Sequence, residues 1–404
     1  MQNRLALTFI LGTVAIDSIG IGLIFPVMPD LLAEVTGGTL ATAAIWSGVL
    51  ATAYAAMQFL FGPLVGSLSD RFGRRPILLS ALAVMTVDYL LMAVAPTVWL
   101  LLLGRTVAGV TAATHAAASA ALADISEGDE RARYFGWIGA AFGVGFVAGP
   151  LIGGLLATID SRAPFWAAAG LAALNLCLGW AVLPETVTDA IRRPFRWANA
   201  NPLAAFRTMG SLPGIGRLLA VLFAYSVAFH VYPVIWSFYG KARFGWDAWM
   251  VGLSLAAFGL CIAGVQAGLV GPALRRLGGR GAIFWGMVAE FLTFLFYGFV
   301  TSGTLALAFT PLAALGGIVM PALQGEMSKA TPADRQGQLQ GVLASLNAAA
   351  MIVSPLLMTP VFGLFTRPGA AIHAPGAPFL VAALLSGLCL ILLAAGRERA
   401  VPAA

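Results

Sequence analysis

The chain has 404 residues, of which 60% are hydrophobic and 10% charged, with a formal net charge of +6 at pH 7. Soluble domains carry about 25% charged residues, so this composition excludes a soluble globular protein and points to an all-α integral membrane protein. The basic balance is explained below by the placement of the charges, without a nucleic-acid partner.

From Leu5 to Leu32 the only ionisable residues are Asp17 and Asp30. Arg4 followed by an apolar stretch looks at first like a signal peptide. The apolar run resumes after Asp17, however, and no small-residue cleavage site precedes it, so the segment reads as a retained first span. About 20 apolar residues cross a bilayer, which puts Asp17 near the midplane. A carboxylate there costs on the order of 3 kcal/mol. Such a residue either lines a cavity and is functional or pairs with a nearby arginine for structure, and both readings stand at this point.

Punctuation by charge, Gly and Pro then sets twelve spans: 5–30, 44–68, 76–95, 98–123, 134–158, 163–184, 214–240, 247–272, 280–301, 303–326, 336–364 and 376–396. The stretch ETVTDAIRRPFRWANANPLAAFRTMGSLP is polar, basic and broken by prolines. It reads as a cytoplasmic linker, 185–213, between a six-helix bundle over 1–184 and a second over 214–404. With both termini cytoplasmic, 18 Lys and Arg fall in cytoplasmic segments and four, Arg162, Lys241, Arg243 and Arg367, outside, while Arg105 lies within a span. That asymmetry follows the positive-inside rule.

The halves repeat weakly. GPLVGSLSDRFGRRP, from Gly62, aligns with GLVGPALRRLGGRGA, from Gly268, pairing Gly66 with Gly271, Gly73 with Gly278 and Arg75 with Arg280. Asp70 aligns with Arg275, so the second copy lacks that acid. Duplicated six-helix halves are the sequence sign of an alternating-access transporter with a midplane site.

Four charged residues lie well inside spans: Asp17, Asp88, Arg105 and Glu290. Fully ionised, they give the interior a net charge of −2. Low dielectric disfavours that state, so at least one acid should take up a proton near physiological pH. Glu290 is the first choice, because its half has no embedded cation. Asp88 and Arg105 can equally form a static bridge between the third and fourth spans. Gln58, Gln266, Gln324, Gln340 and Asn347 sit in spans and can bind a ligand or tie helices together. His115 and His230 are candidate titrating groups or packing residues. Cys177, Cys261 and Cys389 form no CxxC pair or Cys/His cluster and read as small buried hydrophobes.

In GPLVGSLSDRFGRRP, glycines such as Gly62 and Gly66 are expected to let helix ends approach, Asp70 to accept at a helix N-terminus, and Arg74 to reach an acid on another helix. Together these make a latch. The fifth span reads GAAFGVGFVAGPLIGGLL, whose glycines allow close packing and whose Pro150 permits a kink. It is either a rocking contact or a tight seam.

These stretches resemble the tetracycline/proton antiporters, drug exporters of the major facilitator superfamily, over nearly the whole chain. DSIGIGLIFPVMPDLL, SDRFGRRPILL, LGRTVAGVTAAT, FGWIGAAFGVGFVAGPLIGG, RFGWDAWMVGLSLAAFGL and MPALQGEMS carry the resemblance. It implies the major facilitator fold, twelve transmembrane helices in two pseudo-symmetric six-helix bundles, in the bacterial cytoplasmic membrane. It implies export of a magnesium–tetracycline chelate in exchange for protons, with no resident cofactor or metal, no nucleic acid, and function as a monomer. By resemblance Asp17, Asp88 and Glu290 couple protons and Asp17, Gln58, Arg105 and Gln266 meet the substrate, while Gln324 is a substrate candidate as an amide within a span. Gly62, Gly66, Asp70, Arg71, Gly73, Arg74, Arg75 and Asp124 form the gate, and Gly143, Gly145, Gly149, Pro150, Gly153 and Gly154 the antiporter motif.

Two positions depart from the family pattern. GLCH in the eighth span reads GLCI, with Ile262 in place of a histidine, and the ninth-span aspartate is Glu290. Export of another amphiphilic drug or a metabolite is the alternative cargo. A membrane enzyme would need a nucleophile with its base or a metal cluster, and neither pattern occurs in the sequence.

Overall fold

The computed structural model describes residues 2–112, 114–126, 128–189 and 214–395, with 192, 194, 195, 201 and 202 between them. Most of the expected linker, the side chain of His115 and residues 396–404 lie outside the described residues. Among the described residues every regular element is helical.

The first six spans comprise α1 (Gln2–Ile24), α2 (Met28–Thr36), α3 (Leu40–Phe72), α4 (Arg74–Val94), α5 (Val98–Val110), α6 (Thr114–Asp124), α7 (Gly128–Leu156) and α8 (Ala163–Val182). The last six comprise α9 (Gly216–Phe229), α10 (Val231–Phe244), α11 (Ala248–Gly268), α12 (Val270–Phe299), α13 (Gly303–Ala308), α14 (Thr310–Ala313), α15 (Val319–Ala330), α16 (Gln336–Thr366) and α17 (Ala377–Ala394). Among the described residues, ten helices are long and apolar enough to cross a membrane. The fourth and tenth spans complete the twelve in pieces.

The breaks correct the continuous helices expected from hydropathy, and they fall in every third span. The first span ends at Ile24, where Pro26 withholds an N–H, and restarts as α2. The fourth stops at Val110 and resumes at Thr114, with Thr111 N–H tightened onto the Ala108 carbonyl. The seventh is jointed at His230, whose Nδ1 lies 2.7 Å from the Ser226 carbonyl, three residues before Pro233. The tenth passes through α13 and α14 into a 3-10 turn, Ala314–Ile318, before α15. Non-helical backbone at membrane depth is tolerated only where protein or a wet cavity satisfies its polar groups.

By contact density the chain forms two compact units: Met1–Pro202 with Trp246–Gly259, and Leu203–Gly245 with Leu260–Ala404. The start of α11 therefore packs with the first unit. In that unit α1 packs on α7 and α8, and α4 on α8 and α5. In the second, α9 packs on α16 and α17, and α12 on α17 and α15. These are the same pairings six spans later. The repeat seen in the loops also reaches the backbone: Gly73 (φ +110°) and Gly278 (φ +69°) both take conformations that side chains avoid.

Each unit has its own apolar core, including Ile10, Val14, Leu78 and Leu122 in one and Leu222, Met287, Leu323 and Leu346 in the other. Large apolar side chains such as Trp99, Val144, Leu384 and Ile391 are exposed, as suits helices facing lipid. Two cations close helix ends. Arg162 donates to the carbonyls of Ala93 (2.9 Å) and Ala95 (3.1 Å) and pairs with Glu34. Arg243 donates to Val300 (2.8 Å) and Phe299 (3.0 Å). Both satisfy the orphan carbonyls at the ends of α4 and α12.

The seam between α1 and α7 is backbone on backbone. A Cβ on Gly145, Gly149 or Gly153 would lie 2.6, 2.6 or 2.3 Å from the carbonyl oxygen of Ala15, Ile19 or Leu23. Gly154 faces the other way, where its Cβ would sit 2.7 Å from the Ala248 carbonyl. Gly143 borders open space, so it is not part of the seam that its motif suggested. Gly149→Ala should therefore cost about 1–3 kcal/mol by overpacking, and Gly143→Ala less than about 0.5 kcal/mol. Thermal unfolding of the two variants in detergent checks this contrast.

Candidate functional site

Asp88 on α4 is buried and pairs with Arg105 on α5 through Nη2 and Oδ2. Gly104 permits the approach, since a Cβ there would lie 2.8 Å from Asp88 Oδ1. Arg105 Nη2 also reaches Met92 Sδ at 3.2 Å, and its guanidinium lies 5.5 Å from the Tyr54 ring centroid. The static bridge left open by the sequence is thus formed, with a cation–π contact added. Asp88 Oδ1 and Arg105 Nε are buried without a hydrogen bond, so the pair retains unused polar capacity.

Asp17 on α1 does not join that bridge. Its Oδ1 is buried without a hydrogen bond. It lines a narrow cleft with Met85, Tyr89 and Asn175. Asn175 Oδ1 accepts from Thr13 Oγ1 at 3.0 Å, while its Nδ2 has no partner. Tyr54 lies within electrostatic reach of both Asp17 and Arg105. One turn along α3, Gln58 donates to the Ala112 carbonyl at 3.2 Å. Its amide satisfies a backbone group at the break in the fourth span, a structural duty added to the substrate contact expected of it.

Glu290 on α12 stands in the second unit, fully buried. Neither carboxylate oxygen makes a hydrogen bond of normal geometry, and the Tyr232 side chain faces it. Its Oε2 lies 1.4 Å from where a Cβ on Gly316 would stand, so the carboxylate rests on the backbone of the 3-10 turn. Ile262 Cδ1 is 3.0 Å from the corresponding point on Gly317. The two positions that depart from the resembled pattern thus meet on consecutive glycines. Gln266 and Gln324 are exposed and do not join this cluster.

The loop between α3 and α4 forms a third cluster. Arg74 pairs with Asp70 (2.5 Å) and Asp124 (3.1 Å) and donates to Ser69 Oγ at 3.2 Å. Thr186 Oγ1 donates to the same Asp124 oxygen at 3.1 Å. Arg74 reaches an acid on another helix as expected, with one correction to the loop's other contacts. The acid at the N-terminus of α4 is Glu185, which accepts from the Arg74 and Arg75 amides at 2.8 and 3.2 Å, and Asp70 binds the Arg74 side chain instead. Gly73 leaves room for Glu185 Oε2, 2.1 Å from its would-be Cβ. Gly62 and Gly66 border open space, so they do not serve the close approach expected of them. Arg71 lies over the Phe72 ring at 5.1 Å, and Arg75 donates to the Trp180 carbonyl at 2.7 Å.

The sequence reading missed Tyr54, Asn175, Glu185 and Gly316. Tyr54 was findable as the residue one helical turn before Gln58, and Asn175 as a lone amide in an apolar span. Cys177 is exposed and Cys261 half-buried, so of the three thiols expected to be buried Cys389 alone is. The Asp88–Arg105 pair yields a stability prediction. Arg105→Ala leaves a buried carboxylate uncompensated and should cost on the order of 3–5 kcal/mol, whereas Asp88→Asn with Arg105→Gln should cost less. Thermal unfolding in detergent compares the two.

The Major Facilitator Superfamily profile matches residues 10–355. Tetracycline resistance protein, class C, of Escherichia coli is 44% identical over 396 residues, covering 98% of both chains. Tetracycline resistance protein, class G, of Vibrio anguillarum is 41% identical over 382 residues, 94% of this chain and 95% of that one. Among solved structures, the nucleoside transporter NupG superposes with a TM-score of 0.76 at 13% identity, covering 96% of this chain and 99% of that one. This chain belongs to the Major Facilitator Superfamily of membrane transporters and, within it, to the tetracycline resistance protein family.

Proposed function

We propose that this chain exports tetracycline, as its divalent-metal chelate, in exchange for incoming protons. The observation that carries the reading is the pair of buried carboxylates, Asp17 and Glu290, that no cation neutralises: Asp17 Oδ1 has no donor, and Glu290 is faced by the Tyr232 hydroxyl alone. Such a group is costly as an isolated anion. It is stable when it binds a proton, or when it faces a cationic cargo. A magnesium–tetracycline chelate is cationic and competes with protons for the same carboxylates, and alternation between the two is antiport. Asp17 does the exchange beside the Asp88–Arg105 pair, with Tyr54 within electrostatic reach of Asp17 and Arg105, and Glu290 holds a second proton. Magnesium belongs to the cargo and is not resident in the protein.

The cluster of Arg74, Asp70, Asp124 and Glu185 latches the cytoplasmic ends of the third, fourth and sixth spans and opens once per cycle. The charge asymmetry of the loops supports a bacterial cytoplasmic membrane protein with both termini inside. Function as a monomer is part of this reading. Export of another amphiphilic drug by the same machinery is the second reading. It is favoured by Ile262 and Glu290, which together remake the surface of the 3-10 turn.

Inverted membrane vesicles with an acid interior test the reading. Labelled tetracycline with magnesium should accumulate and be released by a protonophore. Asp17→Asn should reduce accumulation by at least about tenfold, about 1.4 kcal/mol or more of lost coupling, with the protein still inserted. No uptake by folded protein would shift the assignment to the second cargo. In the same vesicles Glu185→Gln should slow turnover with substrate affinity unchanged, and an unchanged rate would remove the latch.

A further inference from the structure

The tenth span leaves α-helical geometry at Ala314–Ile318, and the most deeply buried acid of the second unit rests on that turn. Glu290 Oε2 approaches Gly316 closely enough that any side chain there would displace it. On the same residue, the Tyr225 hydroxyl donates to the Gly316 carbonyl at 2.9 Å. Tyr225 is itself fully buried, and it comes from the seventh span, one turn before the joint at His230. One backbone unit is thus approached from the ninth span by a carboxylate and hydrogen-bonded from the seventh by a phenol. The titratable side chains facing Glu290 are Tyr225, Tyr232 and Tyr297, and Cys389 faces Tyr225 in turn. Among the described residues no cation pairs with Glu290.

We propose that Gly316 and Tyr225 are positioning residues for the Glu290 proton site, seating its carboxyl group on the 3-10 turn so that gain or loss of the proton acts directly on the tenth span. This rests on the proton-coupled reading above and adds the residues that transmit it. Seated against the Gly316 backbone, a carboxylate can only accept a hydrogen bond, whereas a protonated carboxyl can also donate one. The turn therefore has a different preferred geometry in each proton state. Gly316 is required because a Cβ would hold the carboxyl off the backbone. Tyr225 is required because its hydroxyl fixes the carbonyl that the turn presents. Gly317, one residue on, bears on the methyl end of Ile262 and on Val265, and not on the acid.

The test is acid-minus-alkaline infrared difference spectroscopy of the purified protein in lipid, which requires no cargo. The wild type should show a carboxylic-acid C=O band that disappears in Glu290→Gln, together with an amide I change. In Gly316→Ala the midpoint of that band should move by at least about half a pH unit, roughly threefold in proton affinity, and the amide I change should shrink. Gly317→Ala alters helix propensity equally but leaves the acid untouched, so its midpoint should stay at the wild-type value. Tyr225→Phe keeps the ring and removes the donor, and it carries the same expectation should Gly316→Ala not fold. A Glu290 band that titrates alike in wild type, Gly316→Ala and Tyr225→Phe would overturn the positioning role alone. A wild type with no Glu290-dependent band between about pH 5 and pH 10 would overturn the proton site itself, and with it the coupling reading.

Discussion

A carboxylate inside a bilayer must be neutralised, and the ways in which this chain does so organise the rest of the structure. Asp88 is neutralised by a permanent cation, Arg105, brought near by Gly104. Asp17 and Glu290 have no such partner. A fixed cation makes a structural pair, while an acid without one in low dielectric must be protonated or meet a cation, because isolated ionisation costs too much. One embedded arginine among three embedded acids leaves one acid in an ion pair and, on the function proposed above, two to exchange a proton.

The interrupted helices belong to the same economy. The first, fourth, seventh and tenth spans each lose regular geometry, and polar side chains gather at the interruptions. Gln58 answers the Ala112 carbonyl, His230 the Ser226 carbonyl, and Tyr225 the Gly316 carbonyl. Without these partners, free backbone groups at membrane depth would cost several kcal/mol each. Broken helices are also where a span can bend between two states, and Glu290 lies on one such break. The α1–α7 seam supplies the opposite property, with glycines spaced every four residues and no side chains to yield.

Much of this was legible in the sequence, for a physical reason. A charge in an apolar run is anomalous, so Asp17, Asp88, Arg105 and Glu290 announced themselves. The loop pointed to Arg74 as a cation able to reach an acid on another helix, and the family resemblance alone pointed to Asp124. Hydropathy reports transfer free energy and is blind to backbone geometry, so the breaks in the fourth and tenth spans did not show. Glycine is so frequent here, 47 residues, that its composition could not separate Gly149 and Gly316, where an added Cβ would strike backbone or acid, from Gly62, Gly66 and Gly143, where it would meet open space. Glu185 was hidden because it lies just past a span, where an acid is ordinary. Only its position over the α4 N-terminus distinguishes it.

The central claim is that protons and cargo compete for the same buried acids. The most direct measurement is proton release when magnesium–tetracycline is added to the purified protein in weakly buffered solution near neutral pH, followed with a pH-indicator dye. By linkage, binding should release on the order of one proton per bound chelate, and the release should fall away in Asp17→Asn with the protein still folded. Saturable binding that releases no protons from about pH 6 to pH 8, where the acids are expected to cycle, would contradict it.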